Sequence, residues 1–162
     1  MKRNIFTKYS TLIRIISFKF RNYYYRRLFG TDKTTTFLGK VIYYNSHNVK
    51  IGKKCSINDQ VFFNAGADIV IGDGVSISAR SFITSVGQNM DKYPEFEHEY
   101  KKVVIGDGTW IGAHSIILPG VNIGKNVIIG AGSVVYKDID DNLIVLGNPA
   151  RVVSTSIKRE EK

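Results

Sequence analysis

One interval governs this sequence: aliphatic residues recur every six positions through its second half. Ile105, Ile111, Ile117, Ile123, Ile129 and Val135 keep one phase, and Gly106, Gly112, Gly124 and Gly130 directly follow four of them. Four positions after each aliphatic stands a small or β-branched residue: Thr109, Ser115, Val121, Val127, Ser133 and Ile139. Weaker hexads precede these at Ile51, Ile57 and Phe63, and again, two residues out of phase, at Ile71, Ile77 and Ile83. An amphipathic helix would need apolar residues at i, i+3, i+4 and i+7. A plain alternating strand has no need of glycine once in six, and a β-sandwich has no reason to hold phase through consecutive hexads. Six residues do make one short strand and one corner. Three such units close a triangular coil of about 18 residues, stacked on the next at the ~4.8 Å spacing of paired strands.

The spacing therefore predicts an all-β, parallel β-helix. Its coils run over 51–68, 71–88, 105–122 and 123–140, with a less regular one at about 37–50. The aliphatic points inward, the fourth-following residue fills the corner, and glycine with Asn/Asp supplies the turn, where φ > 0 or little bulk is needed. The polar stretch at about 89–104 lacks hexads and is expected to be an excursion loop, a common place for function on a rigid scaffold. Stacking sets Gly112 over Gly130, Ala113 over Ala131 and Ser115 over Ser133, with Ala79 and Ser81 continuing the columns. This small-residue track suits a long thin ligand arm as well as tight packing. His114 is expected to project there, between Arg80 and Gly132.

Over residues 103–153 the sequence resembles the hexapeptide-repeat O-acetyltransferases. That group includes the galactoside and maltose acetyltransferases and the enzymes that acetylate bacterial surface polysaccharides. The residues carrying the likeness are Val104-Ile-Gly-Asp-Gly-Thr-Trp-Ile-Gly-Ala113, Ile117-Leu-Pro-Gly-Val-Asn-Ile-Gly124, Ile129-Gly-Ala-Gly-Ser-Val-Val135, Lys137-Asp-Ile139 and Gly147-Asn-Pro-Ala-Arg151. The resemblance implies left-handed β-helices assembled as a homotrimer, with acetyl-CoA in a groove between neighbouring prisms and no metal. It implies that Trp110 lines the acceptor and thioester site and that the backbones of Ala113 and Ala131 contact the pantetheine arm. It places Lys137 and Arg151 near the CoA phosphates and adenine, a pairing that charge-assisted hydrogen bonding favours. Tyr136 stands where the family has threonine, and Asp140-Asp141 where it has a diproline; both touch the expected path near the adenine.

Members of this family use a histidine at the coil end, before the loop, to take the proton from the acceptor hydroxyl. Imidazole suits that work because its ordinary pKa of ~6.5 leaves it mostly neutral at pH 7. The matching segment here is Ile83-Thr-Ser-Val-Gly-Gln-Asn-Met-Asp91, with Gln88 at the expected position. Glutamine is no base; it can only orient a hydroxyl or a carbonyl. Three histidines exist. His98 lies in the excursion loop among acidic neighbours that could orient it. His114 sits on the small-residue track, and His47 precedes the regular coils on the expected surface. The base is His98, His114 or no histidine at all.

The formal charge of +9, from 23 Lys+Arg against 14 Asp+Glu, suits an anionic partner: a phosphate-bearing cofactor, a nucleotide-linked sugar, an anionic lipid or nucleic acid. No recognised motif supports nucleic acid. The single Cys55 falls at a corner-filling position, and with no second cysteine there is no internal disulfide. No stretch reaches the ~20 apolar residues of a membrane span, and Arg14 and Lys19 interrupt any signal-like apolar run, so a cytoplasmic location is expected.

Three regions are expected: a basic helical segment at 1–36, the β-helix at 37–153 and a charged tail at 154–162. In the first, Tyr9, Leu12, Ile13, Ile16 and Phe20 fall near helical spacing among basic residues. That helix either caps the open end of the prism, covering edge strands, or makes peripheral contact with an anionic membrane through residues 5–27. The leading functional reading is acetyl transfer from acetyl-CoA to a sugar hydroxyl, with a surface-polysaccharide precursor as acceptor. N-acetylation of an amino sugar and a non-catalytic trimeric scaffold are the alternatives. A carbonic-anhydrase-like zinc site lacks the required three histidines in the repeats.

Overall fold

The computed structural model describes residues 2–95 and 97–154, with side chains from Arg14 onward. It shows one helix, Lys2–Leu28, leading into the expected left-handed parallel β-helix. The first face stacks Thr36–Phe37, Ser56–Ile57, Ser76–Ile77, Trp110–Ile111, Ile128–Ile129 and Ile144–Leu146. The second stacks Ile42–Tyr44, Phe62–Asn64, Phe82–Thr84, Ile116–Ile117 and Val134–Val135. The third stacks Val49–Ile51, Ile69–Ile71, Val103–Ile105 and Asn122–Ile123. The hexad aliphatics Ile105, Ile111, Ile117, Ile123, Ile129 and Val135 form the core, as expected.

One detail differs from the sequence reading. The early coils are longer: Ser56 pairs with Ser76, whereas Trp110 pairs with Ile128. Two extra residues sit in the corner between the second and third faces, between Phe63 and Ile71, which accounts for the slipped phase. The glycines that follow the hexad aliphatics are not the ones with φ > 0. A Cβ on Gly112 would lie 2.5 Å from the Ala131 amide nitrogen in the next coil, and one on Gly106 would lie 2.5 Å from the Gly124 carbonyl carbon. These glycines are required by close backbone approach.

The corners are closed by buried polar groups. Ser81 Oγ donates to the Gly112 carbonyl, Ser115 Oγ to the Gly130 carbonyl and Thr109 Oγ1 to the Gly124 carbonyl, each at 2.9 Å. Cys55 fills such a corner, as expected, and its thiol donates to the Gly72 carbonyl at 3.1 Å; burial pushes its pKa up. Aspartates tie successive coils on the outside. Asp107 Oδ1 accepts from the Asp73 amide at 2.9 Å, and its Oδ2 lies 3.1 Å from Lys125 Nζ. These two partners, the amide first, hold its carboxyl below the usual carboxylate range.

Both ends of the prism would expose an edge, and both are covered. At the top, Asn22 imitates a missing strand. Its Nδ2 donates to the Phe37 carbonyl at 3.1 Å and its Oδ1 accepts from the Phe37 amide at 2.8 Å. Tyr25 Oη accepts from the Val41 amide at 3.0 Å. Tyr25 and Phe29 pack on Phe37, and Phe29 meets Phe63 and Tyr43 edge-on. Helical capping therefore holds, but Ile16 and Phe20 take no part in it. Ile16 is 59% exposed and Phe20 71% exposed, while the side chains of Tyr9, Leu12 and Ile13 lie outside the described residues. At the bottom, Arg151–Ser154 pairs antiparallel with Ile144–Leu146, a reversal the hexads gave no sign of. Residues 155–162, where the charged tail was expected, lie outside the described residues.

Asn22→Leu should lower stability by about 2 kcal/mol, because it leaves the buried Phe37 amide without a partner and the Phe37 carbonyl with only the long bond from Arg21 Nε at 3.3 Å. Urea unfolding of the two proteins measures this; equal midpoints would contradict the capping role.

Candidate functional site

The candidate residues occupy the two edges and the lower end of the second face. Along the corner between the first and second faces runs the small-residue track. Gly132 N donates to the Ala113 carbonyl at 2.8 Å, and His114 N to the Ala79 carbonyl at 3.1 Å, so Ala79, Ala113 and Ala131 stack. Beside them Gln60, Arg80, His114 and Gly132 form a second column, each in the left-handed region with φ between 57° and 71°. This corner places a left-handed residue on four successive coils, and His114 is one of them, with its side chain exposed. Trp110 stands next to the corner on the outer surface of the first face, 50% exposed, with Nε1 donating to Ser78 Oγ at 3.0 Å. Ser78 is a partner the sequence did not suggest; the 34-residue offset created by the excursion hides it.

The opposite edge of the second face carries the excursion, which spans 85–102, not 89–104. Val103 and Val104 already belong to the third face, paired with Ile69 and Val70. The excursion is a hairpin: Val86–Gln88 pairs antiparallel with His98–Tyr100. Gln88 and His98 are direct cross-strand partners, and Gln88 Nε2 lies 3.4 Å from His98 Nδ1. The residue at the expected base position and the loop histidine are thus brought together, side by side and exposed.

The hairpin is seated firmly at its stem. Buried Ser85 Oγ accepts from the Ala67 amide at 2.9 Å, and Lys101 N donates to the Ser85 carbonyl at 2.9 Å. The Tyr100 ring lies over Gly66, where any Cβ would collide with it. Gly66 is the one sequence signal that could have announced this contact.

At the lower end, Tyr136, Lys137 and Arg151 converge. Lys137 Nζ lies 5.3 Å and Arg151 Cζ 5.7 Å from the centre of the Tyr136 ring. They line a pocket of about 330 Å³ that also includes Asp138 and Ala150. Two cations against one aromatic ring make a site for a phosphate with a flat surface beside it. His47 is exposed in the short turn Ser46–Asn48, away from these groups. Among the described residues no three His, Cys, Asp or Glu side chains are arranged to hold a metal ion. The track and the hairpin stand on different edges, so one chain does not bring Trp110 and Ala113 together with His98.

Residues 102–137 match the family described as bacterial transferase hexapeptide (six repeats). The galactoside O-acetyltransferase of Escherichia coli is 31% identical over 137 residues, which cover 79% of this chain and 64% of that protein. Curated putative acetyltransferases of Saccharomyces cerevisiae and Staphylococcus aureus are matched over 55% and 54% of their length, and one of Bacillus subtilis, 34% identical, over 74%. The fold superposes on a maltose O-acetyltransferase from Clostridium difficile 630 with a TM-score of 0.76 and 34% identity, covering 82% of this chain and 73% of that one. It also superposes on the hexapeptide-repeat acetyltransferase VCA0836 of Vibrio cholerae, solved with acetyl coenzyme A. There the TM-score is 0.76 and the identity 30%, with 82% of this chain and 74% of that one covered.

Replacing Gln88 with alanine should move the ring-nitrogen chemical shifts of His98 and leave those of His114 in place. Nitrogen-15 spectra of the two proteins measure this, and an unmoved His98 would show that the pair is not formed.

Proposed function

We propose, on the premise that this chain belongs to the hexapeptide-repeat bacterial transferase family, that it transfers acetyl from acetyl-CoA to a saccharide hydroxyl, with a surface-polysaccharide precursor as acceptor. The observation that carries this reading is the small-residue corner Ala79–Ala113–Ala131 together with the cationic pocket of Lys137 and Arg151 at the lower end. A pantetheine arm needs a smooth wall with backbone amides, and the CoA phosphates need cations. Trp110 beside that wall offers a flat apolar surface for the thioester and a sugar. The E. coli relative is a galactoside O-acetyltransferase, and the V. cholerae neighbour holds acetyl coenzyme A.

Chemically, the acceptor oxygen attacks the thioester carbonyl, forming a C–O bond as the C–S bond breaks. His98 takes the hydroxyl proton through Nε2, and the departing CoA sulfur receives it. Gln88 assists by orientation. Its amide oxygen and nitrogen occupy near-equivalent places, and with the oxygen turned toward Nδ1–H the imidazole is held in the tautomer whose Nε2 is free. The histidine of the familiar mechanism is thereby moved one strand across, with glutamine left in its former place.

The protein works as a homotrimer in this reading. The second face carries an outward apolar column, Phe62, Phe82, Ile116 and Val134, each only partly buried within one chain. Covering it with a second copy would bring the hairpin of one prism toward the corner of another, joining the groups that one chain keeps apart.

Free-thiol release from acetyl-CoA, measured across a panel of sugar acceptors, tests this. His98→Ala should lower kcat by about 10²–10⁴-fold, with the KM for acetyl-CoA changed only slightly. Lys137→Ala with Arg151→Ala should instead raise that KM, by about tenfold. Unchanged turnover in His98→Ala would remove the assigned base, and no acceptor-dependent release at all would remove the function.

A further inference from the structure

The helix Lys2–Leu28 meets the prism only in its last two turns, and residues 14–20 before them, Ile15 and Phe18 included, are exposed all round. Asn22 and Tyr25 are buried against the prism, whereas Ile16, Phe20 and Tyr23, at i, i+4 and i+7, are 59%, 71% and 64% exposed. On a 100° wheel these three lie opposite Asn22 and Tyr25. The sequence spacing of Tyr9, Leu12 and Ile13 continues the same stripe. The helix contains eight Lys and Arg and no acidic residue. Lys19, Arg26 and Arg27 line, with Lys33, a surface cleft of about 510 Å³. Asp32, nearby in sequence, has its carboxylate engaged by the Thr34 amide at 2.9 Å.

We propose that this outward side docks the protein on an anionic phospholipid surface, with Ile16, Phe20 and Tyr23 entering the headgroup boundary and Lys19, Arg27 and Lys33 binding lipid phosphates, while Arg26 is held by the Thr35 carbonyl at 2.8 Å. The charge decides between a membrane and a second copy of the chain. Bringing like helices together would crowd cations with no acidic partner on the helix, while an anionic leaflet neutralises them. No helix among the described residues is long and apolar enough to cross a membrane, so contact is parallel to the surface. The tyrosine hydroxyl on the stripe suits the boundary, where one end of the ring is wet. The inference is independent of which group the protein transfers.

Co-sedimentation of the full chain with vesicles tests it, comparing pure phosphatidylcholine with mixtures containing phosphatidylglycerol. Binding is expected to the anionic vesicles only, and to weaken steeply at about 0.5 M salt. Ile16→Ser with Phe20→Ser should reduce partitioning at least tenfold, as should Lys19→Gln with Arg27→Gln, with circular-dichroism melting curves unchanged because these side chains are exposed. Equal binding to neutral vesicles, or unaltered partitioning of both variants, would overturn the proposal. So would a change in oligomeric mass of the Ile16/Phe20 variant without any change in vesicle binding, which would assign the stripe to self-association.

Discussion

Everything in this chain depends on the ~4.8 Å distance at which one coil lies over the next. That distance leaves no room for a Cβ at Gly106 or Gly112, brings the Ser81, Ser115 and Thr109 hydroxyls within reach of the carbonyls in the following coil, and lets the inward aliphatics touch along the axis. It also shapes the surface. The corner built from Ala79, Ala113 and Ala131 is smooth, and a smooth corner with ordered amides is what a slender acyl carrier requires. Packing and binding are two consequences of one spacing.

A stacked solenoid has ends, and closing them generates much of the chain's individuality. Asn22 and Tyr25 supply backbone-like donors and acceptors to Phe37 and Val41, so the first coil is not left as an open edge. Below, the reversal into Arg151–Ser154 brings Arg151 beside Tyr136 and Lys137. The cationic pocket is thus a by-product of how the lower edge is sealed. Tyr136, a departure from the usual threonine, becomes the surface on which both cations rest.

The fold was legible because its period is enforced at every hexad, and Ile105, Ile117 and Ile129 all proved buried. The placement of the candidate residues was legible where they lie on the repeat, as with the stacked Ala113 and Ala131. It was not legible where tertiary pairing decides. The 34-residue offset between Ser76 and Trp110 conceals the Ser78 hydrogen bond. The hairpin register that sets His98 opposite Gln88 leaves no periodic trace, because its two strands are only three residues each. The helix misled for a related reason. Ile16 and Phe20 of its apolar stripe face away from the prism, while capping falls to Asn22, whose polarity hid its burial.

The central claim is that the corner of one prism and the hairpin of another make a single site around acetyl-CoA. A crystal structure of the full chain with bound CoA tests it most directly. The expected result is a pantetheine arm lying along Ala113 and Ala131, phosphates against Lys137 and Arg151, and the sulfur pointing at His98 of a neighbouring copy. A coenzyme bound away from that corner, or a sulfur remote from every His98, would contradict the account.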